Sequence, residues 1–401
     1  MIFVWVNKRD WRHPGPIVNI AVRNAHCLAS LGFETHLCLG AGPQSETATD
    51  LAKFYGLTQL PALQIHRTSR RSAFAIGKNN SGPIFRTALR LGCSLLKNQK
   101  KATIAFITRE ASFLPHLAWL ASRSGGRIQG YYEAHDFCAD LSWRAKEGLP
   151  VKIQDRRQSW LESAFLPRLS GLIAITETQR ELYLRRFPGL SSVALPLGTE
   201  PYFEQKPGEF EARRRLRCAV YVGRLSRGKG IELLLRAAPR LTEAGVRIAF
   251  WGGNPEQAAK LAARAREADT RNGIECVSSR PPEELRQALA NYASIGLVPL
   301  QDGFYNRYLT CPVKALDYLS HGLPAVASDL PSTREVLGNA EAGVYVPPSD
   351  HTALTAAILN ILENPECYQT AAKAACARAR EISWSTRAQK IVELVKAQAS
   401  N

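Results

Sequence analysis

Arg224 and Lys229 stand in a run that also holds three glycines, Gly223-Arg224-Leu225-Ser226-Arg227-Gly228-Lys229-Gly230. The apolar run CAVYVG (218–223) leads into it, and a helical pattern, Ile231–Ala244, follows. A strand, a glycine turn and a helix start make a site for an anion. Glycine lets the backbone turn tightly and approach a ligand, and the helix start presents unpaired N–H groups at the positive end of its dipole. Arg can grip two oxygens while Lys adds a point charge, so together they suit a diphosphate. The spacing is neither G-x-x-x-x-G-K-[ST] nor G-x-G-x-x-G, which weakens ATPase and dinucleotide-dehydrogenase readings. On spacing alone, the segment reads equally well as a solvated basic turn.

Three further segments place reactive types together. In Pro312-Val313-Lys314-Ala315-Leu316-Asp317-Tyr318, Pro312 fits the first position of a helix with Thr310 or Cys311 as cap, and Gly322-Leu323-Pro324 stops it. Val313, Ala315 and Leu316 face the core while Asp317 falls off that stripe. Asp317 either pairs with Lys314 three residues earlier or accepts two hydrogen bonds from a sugar diol. GYYEAHDFCAD (130–140) puts Glu133, His135 and Asp136 at a strand end, the edge where open α/β sheets hold ligands. A histidine there is either a satisfied structural residue or a functional one. RDWRHPGPIVNI (9–20) places Gly15 and Pro16 before a helix, as an ordinary turn or a second ligand loop. H-E-x-x-H is absent and the histidines do not cluster, so no metal site is expected.

These segments need elements to hold them. Apolar runs at 2–6, 35–40, 102–108, 128–135, 171–176 and 192–198 alternate with helical stretches such as Ile17–Leu31, Phe113–Ser122, Ile153–Leu166 and Glu177–Arg186. The alternation resumes at 218–223, 246–252, 273–278, 294–300, 324–329 and 342–347, with helices at Ile231–Ala244, Pro255–Ala268, Pro281–Ala290, Pro312–His321 and Thr352–Glu363. Strands separated by helices predict parallel sheets covered on both faces. The expected fold class is α/β, with two doubly wound Rossmann-like domains facing a cleft and an interdomain linker at Gly198–Arg213.

The 401 residues are 45% apolar and 22% charged, enough to build cores and too ordered in pattern for a disordered or fibrous chain. No apolar stretch approaches a membrane span, and the first residues read as a strand rather than a signal peptide. Nine scattered cysteines without a C-x-x-C pair read as buried free thiols of a reducing compartment. Net charge is +17, unevenly spread. Residues 1–195 hold 26 Lys and Arg against 13 Asp and Glu, hence +13; residues 196–401 hold 26 against 22, hence +4. Such a field draws an anionic partner.

The four segments, in this order, resemble the retaining glycosyltransferases of the GT-B type, family four (glycosyl transferases group 1). The likeness runs through His13-Pro14-Gly15-Pro16, Glu133-Ala134-His135-Asp136, ITETQRELY (175–183), LPLGTEPYF (195–203), VGRLSRGKGIELLLRA (222–237), Pro312 to Tyr318 with HGLPAVASDLPSTREVL (321–337), and ISWSTRAQKIVELVKA (382–397). It implies an acceptor domain over 1–198, a nucleotide-sugar domain over 199–380, and a helix over 381–401 packing back on the first domain. It also implies roles. Arg224 and Lys229 would hold the diphosphate of a UDP- or GDP-linked sugar with Gly223, Pro312, Val313 and Lys314 around it. Asp317 would take the ribose hydroxyls, His135 would sit by the donor sugar, and Gly15 would allow close approach of the diphosphate or acceptor. No cofactor beyond the co-substrate and no metal is implied. The family usually carries Glu-x7-Glu with its second acid at the place of Asp317; here Leu309 occupies the first position, and Asn306, Arg307 or Tyr308 is left to substitute.

The chemistry implied is departure of the diphosphate from an anomeric carbon, its growing charge met by Arg224, Lys229 and the helix start. The acceptor hydroxyl would arrive on the face the diphosphate leaves. In Pro83–Lys101, Ile84, Ala88, Leu91 and Leu95 share one stripe and Arg86, Arg90, Lys97 and Lys101 another. That pattern, with Arg67, Arg70, Arg71 and Lys78, fits an anionic membrane surface or, more plainly, a sheet-covering helix with a solvated basic face. The expected partner is a glycan or lipid-linked acceptor at the cytoplasmic membrane face. Rivals are a nucleotide-sugar epimerase on the same fold and a non-catalytic basic binder of membranes or nucleic acid. No helix-turn-helix, zinc-finger or RNP pattern supports nucleic acid.

Overall fold

The computed structural model describes residues 1–12, 16–40, 47–68, 81–203, 208–226, 228–338 and 342–399. Gly15, Arg70, Arg71, Lys78 and Arg227 lie outside the described residues. The chain forms two compact units, Met1–Leu195 with Trp384–Asn401, and Pro196–Ser383.

The first unit is built on β1 (Ile2–Val6), β2 (Glu34–Leu39), β3 (Leu63–Arg67), β4 (Ile104–Thr108), β5 (Ile128–Ala134), β6 (Gly171–Ala174) and β7 (Ser192–Ala194). They pair in parallel in the order β3-β2-β1-β4-β5-β6-β7. Both faces of β1 are buried, as a continuous apolar run requires in a parallel sheet. Phe3 and Trp5 point into one core with Val18, Val22 and Leu37. Ile2, Val4 and Val6 point into the other with Ile84, Ala88 and Phe106. The helix Trp384–Ala399 closes the first of these cores with Ala388, Ile391, Val392 and Val395.

The second unit repeats the plan with β8 (Cys218–Val222), β9 (Arg247–Trp251), β10 (Ile274–Val277), β11 (Ile295–Val298), β12 (Ala325–Ser328) and β13 (Gly343–Val346), in the order β10-β9-β8-β11-β12-β13. In each sheet the unit's first strand lies inside the order, β1 between β2 and β4, β8 between β9 and β11. The direction of winding reverses at that strand, so the connections diverge and leave room for a ligand at its carboxyl end.

The two parallel sheets with interleaved helices are the expected fold class. Details differ. β3 was not expected, because LQIHR is an edge strand with half-buried, partly polar residues and so lacks an apolar run. The segment expected as a linker is in its described part no free connector. Glu209–Arg215 is a helix of the second unit with Phe210 and Arg213 buried, and the unit boundary falls between Leu195 and Pro196. The polar loop expected before Pro312 contains a π-helical turn, Tyr305–Leu309. None of the nine cysteines is in a disulfide, but Cys93 and Cys367 are exposed and Cys27 and Cys276 half-buried rather than buried.

Candidate functional site

The carboxyl end of β8 carries the glycine loop. Gly223 has φ +130° and Gly230 φ +78°, both in the region that penalises side chains. A Cβ on Gly230 would lie 1.7 Å from the Pro299 carbonyl oxygen, so only glycine fits there. The loop is tied down at several points. Tyr221 donates its hydroxyl to the Arg224 carbonyl at 2.7 Å, Gly223 N–H donates to Trp251 O at 3.0 Å, and Gln301 N–H donates to Gly228 O at 3.2 Å.

Three cations converge on this loop. Arg224 is exposed and Lys229 half-buried. Lys229 Nζ donates to Asn306 Oδ1 at 3.3 Å. Lys314 Nζ is buried with no hydrogen-bond partner among the described residues, 3.5 Å from the centre of the Tyr221 ring. Its stem runs under Gly223, where a Cβ would stand 3.5 Å from Lys314 Cε. Burial, and then the neighbouring Lys229 charge, push the Lys314 ammonium well below the usual lysine value. Burial, and then Arg224, lower Lys229 too. Asp317 is half-buried, and burial pushes its carboxyl up to about 7 against the pull of Lys314. Among the described residues, Lys229 is held by an amide rather than a carboxylate and Lys314 Nζ by no acceptor. The loop is thus short of negative charge, and a bound anion would repair both the desolvation and the repulsion.

The helix Val313–Ser320 holds Lys314 and Asp317 in place. Pro312 is its cap rather than its first residue, one position later than expected, and Thr310 and Cys311 do not cap it. Val313 is half-buried; Ala315 and Leu316 are buried as expected. Tyr318 fixes the helix to the sheet, its hydroxyl accepting from Val222 N–H at 3.0 Å and donating to Val220 O at 2.9 Å.

Asn306 does more than its type and spacing signalled. Its amide donates to Gly228 O at 3.0 Å and Gln301 O at 2.8 Å while its oxygen takes Lys229. It therefore clamps the glycine loop and aims one of its cations. Leu309 is fully buried in the π-helical turn. Arg307 is engaged with Asp302 at 2.9 Å, and Tyr308 packs edge-on against Phe304. Of the three residues considered for the missing acid, Asn306 hydrogen-bonds Lys229. The signal available in sequence was a lone amide within one turn of Leu309.

His135 belongs to the first unit, at the end of β5. Its Nε2 meets Glu133 Oε1. Burial, then Arg109, push the imidazole down to about 4, so it is neutral near pH 7. An ionised Glu133 can only accept, so Nε2 carries the proton and Nδ1 is left as the acceptor. Burial opposes ionisation of Glu133, but Arg387 and His135 outweigh it and hold the carboxyl down at about 2. Asp136 turns toward Arg144, and its carbonyl accepts from Gln179 Nε2 and the Tyr183 hydroxyl. Glu162, missed in the sequence, sits beneath this strand end. It accepts from Tyr132, Tyr183, Gln158 and the Cys138 N–H, and burial raises it to about 7. A cavity of about 480 Å³ opens beside the glycine loop in the second unit, lined by Leu225, Ser226, Gly228, Gln257 and Gln301.

The fold is that of the GT-B glycosyltransferases. Sucrose-phosphate synthase from Thermosynechococcus elongatus superposes with a TM-score of 0.69 at 18% identity, covering 99% of this chain and 98% of that one. HepE of Anabaena, in complex with UDP and glucose, superposes with a TM-score of 0.66 at 14% identity, covering 99% and 100%. Residues 217–364, which carry the glycine loop, Lys314 and Asp317, match the family described as Glycosyl transferases group 1. Glycogen synthase of Mycobacterium tuberculosis is 29% identical over 170 residues, 42% of this chain and 39% of that protein. D-inositol 3-phosphate glycosyltransferase of Corynebacterium urealyticum is 26% identical over 217 residues, 52% and 50% respectively. The chain thus spans half or less of the length of these two relatives.

Proposed function

We propose that the protein is a retaining glycosyltransferase that moves a hexose from a nucleotide-diphosphate sugar to a glycan or lipid-linked acceptor at the cytoplasmic face of a membrane. The observation that carries this reading is the cluster of Arg224, Lys229 and Lys314 around the loop after β8, none of them in an ion pair among the described residues. In the departing diphosphate, negative charge grows on the phosphate oxygens. Preorganised cations and the N–H groups starting the helix Ile231–Glu243 meet that charge without reorganising, which is where such sites gain most of their rate. They also supply the charge that a divalent ion would otherwise bring, so donor binding should persist in EDTA. Asp317 takes the ribose hydroxyls, and neutral His135 acts at the donor sugar. The UDP held by HepE supports a uridine donor first and other diphosphates second.

Thermal stabilisation by UDP, GDP and ADP in EDTA tests the reading, with Arg224→Ala alongside. Ligand at about 100 times its Kd should add roughly 2.7 kcal/mol to the unit that binds it. A diphosphate that stabilises the wild type and not Arg224→Ala supports the donor site. No stabilisation by any of them sinks it. Product analysis without acceptor separates transfer from epimerisation.

A further inference from the structure

The helix Ser81–Asn98 cannot by itself be a membrane-inserting amphipath. Ile84, Phe85, Ala88 and Leu95 are spent on the core, leaving Arg86, Arg90 and Lys97 to solvent. The exposed apolar side chains lie elsewhere on the same layer. Ser81–Asn98 packs against Leu114–Ser122, which packs against Ile153–Phe165. On the last of these, Ile153 is 86% and Trp160 61% exposed. They stand two turns apart on one line, with exposed Arg156 and Arg157 between them and buried Glu162 on the opposite side. Lys152 and Arg168 flank the helix, and the loop before it exposes Lys146 and Leu149. Arg168 lies over the Phe165 ring at 5.5 Å, and Trp160 meets that ring edge-on. The middle helix exposes Trp119 with Arg123 at 5.1 Å over its ring.

Apart from the Phe165 and Arg123 contacts, these tryptophans and Ile153 leave much of their apolar surface in solvent, interleaved with arginine. An indole has an apolar body and a polar N–H suited to a headgroup region, and arginine pairs with phosphate oxygens. No Asp or Glu falls between Asp50 and Glu110, so the neighbouring helix adds charge of the same sign. We propose that this three-helix layer docks on an anionic membrane surface, with Ile153 and Trp160 entering the headgroup region and Arg86, Arg90, Arg156 and Arg157 meeting lipid phosphates. The proposal rests on the membrane-face part of the function above and not on the transferase chemistry.

Co-sedimentation of the full chain with phosphatidylcholine vesicles, with and without phosphatidylglycerol, tests it. The variants are Ile153→Ser with Trp160→Ser, Arg156→Glu with Arg157→Glu, and Tyr292→Ser, an exposed aromatic of the second unit, as control. Unliganded melting shows that each is folded. Wild type and Tyr292→Ser should pellet with the anionic vesicles, and each double variant should lose about tenfold in partitioning. Wild type that ignores anionic vesicles overturns the proposal, as does an Ile153/Trp160 variant that binds as well as wild type. Binding to duplex DNA that equals vesicle binding and vanishes alike with salt also overturns it, leaving charge alone. UDP stabilisation in the same samples separates failure of docking from failure of the donor site.

Discussion

Arg387 Nη2 lies 2.9 Å from Glu133 Oε2, both side chains almost wholly buried, joining the helix Trp384–Ala399 to the strand end that carries His135. Arg387 also donates to Asn24 Oδ1 at 3.1 Å and to the Leu195 carbonyl. One guanidinium thereby gathers four parts of the first unit. Removing it strands a buried carboxylate, which costs about 3–5 kcal/mol. Urea melting of Arg387→Met should show a loss of that size, and Arg387→Met with Glu133→Gln should recover part of it. A single variant as stable as the wild type would show the pair is dispensable.

Acid should weaken the same corner. The folded protein keeps His135 neutral down to about 4, while the unfolded chain takes up the proton near 6.5. The unfolded state binds more protons in that window, so stability is fully present above 6.5 and falls as pH drops toward 4. Glu133, held at about 2 against 4.5 in the unfolded chain, extends the loss below pH 4.5. Melting temperature against pH for wild type and His135→Asn checks the first limb. A His135→Asn curve parallel to wild type between pH 6.5 and 4 would disprove it.

Lys314→Met should act with opposite signs on two measurements. It removes a buried ammonium without a hydrogen bond, so the unliganded protein should melt higher. It also removes a charge facing the diphosphate, so UDP affinity should fall roughly 10- to 100-fold, the usual scale for a charge-assisted contact of about 1.5–3 kcal/mol. Calorimetric titration and melting on one preparation read both. A variant that is less stable and binds UDP normally would assign Lys314 to packing instead.

Gly230→Ala should disrupt the loop far more than Gly228→Ala. At 230 the new methyl meets a carbonyl oxygen at 1.7 Å, whereas at 228 its nearest neighbour is Asn306 Nδ2 at 4.0 Å. Both sites pay for positive φ, at about 1–3 kcal/mol, but only the first must also move backbone. Urea titration of the two variants orders them.

Much of this was legible because it depends on local pattern. Apolar runs marked the central strands β1, β4, β5 and β8, and glycine spacing marked the loop at 223–230. What was missed depends on contacts distant in sequence. Glu133 and Arg387 are paired across 254 positions, and nothing near either announces the other. Asn306 reaches Lys229 across 77 positions, and Glu162 receives Tyr132 from 30 away. The basic helix Ser81–Asn98 left two readings open, a sheet-covering helix or a membrane face, because its apolar stripe says only that it buries something. The strand or bilayer on the other side is not written in the helix.

The helix Trp384–Ala399 also has a consequence for synthesis. Its Ile391, Val392 and Val395 complete a core begun by Phe3 and Trp5, yet a ribosome makes all of Pro196–Ser383 in between. The nascent first unit must wait with one apolar face uncovered while the second unit folds. Translation that stops early therefore harms the half of the protein already made, and such stubs should be prime clients for chaperones and proteases.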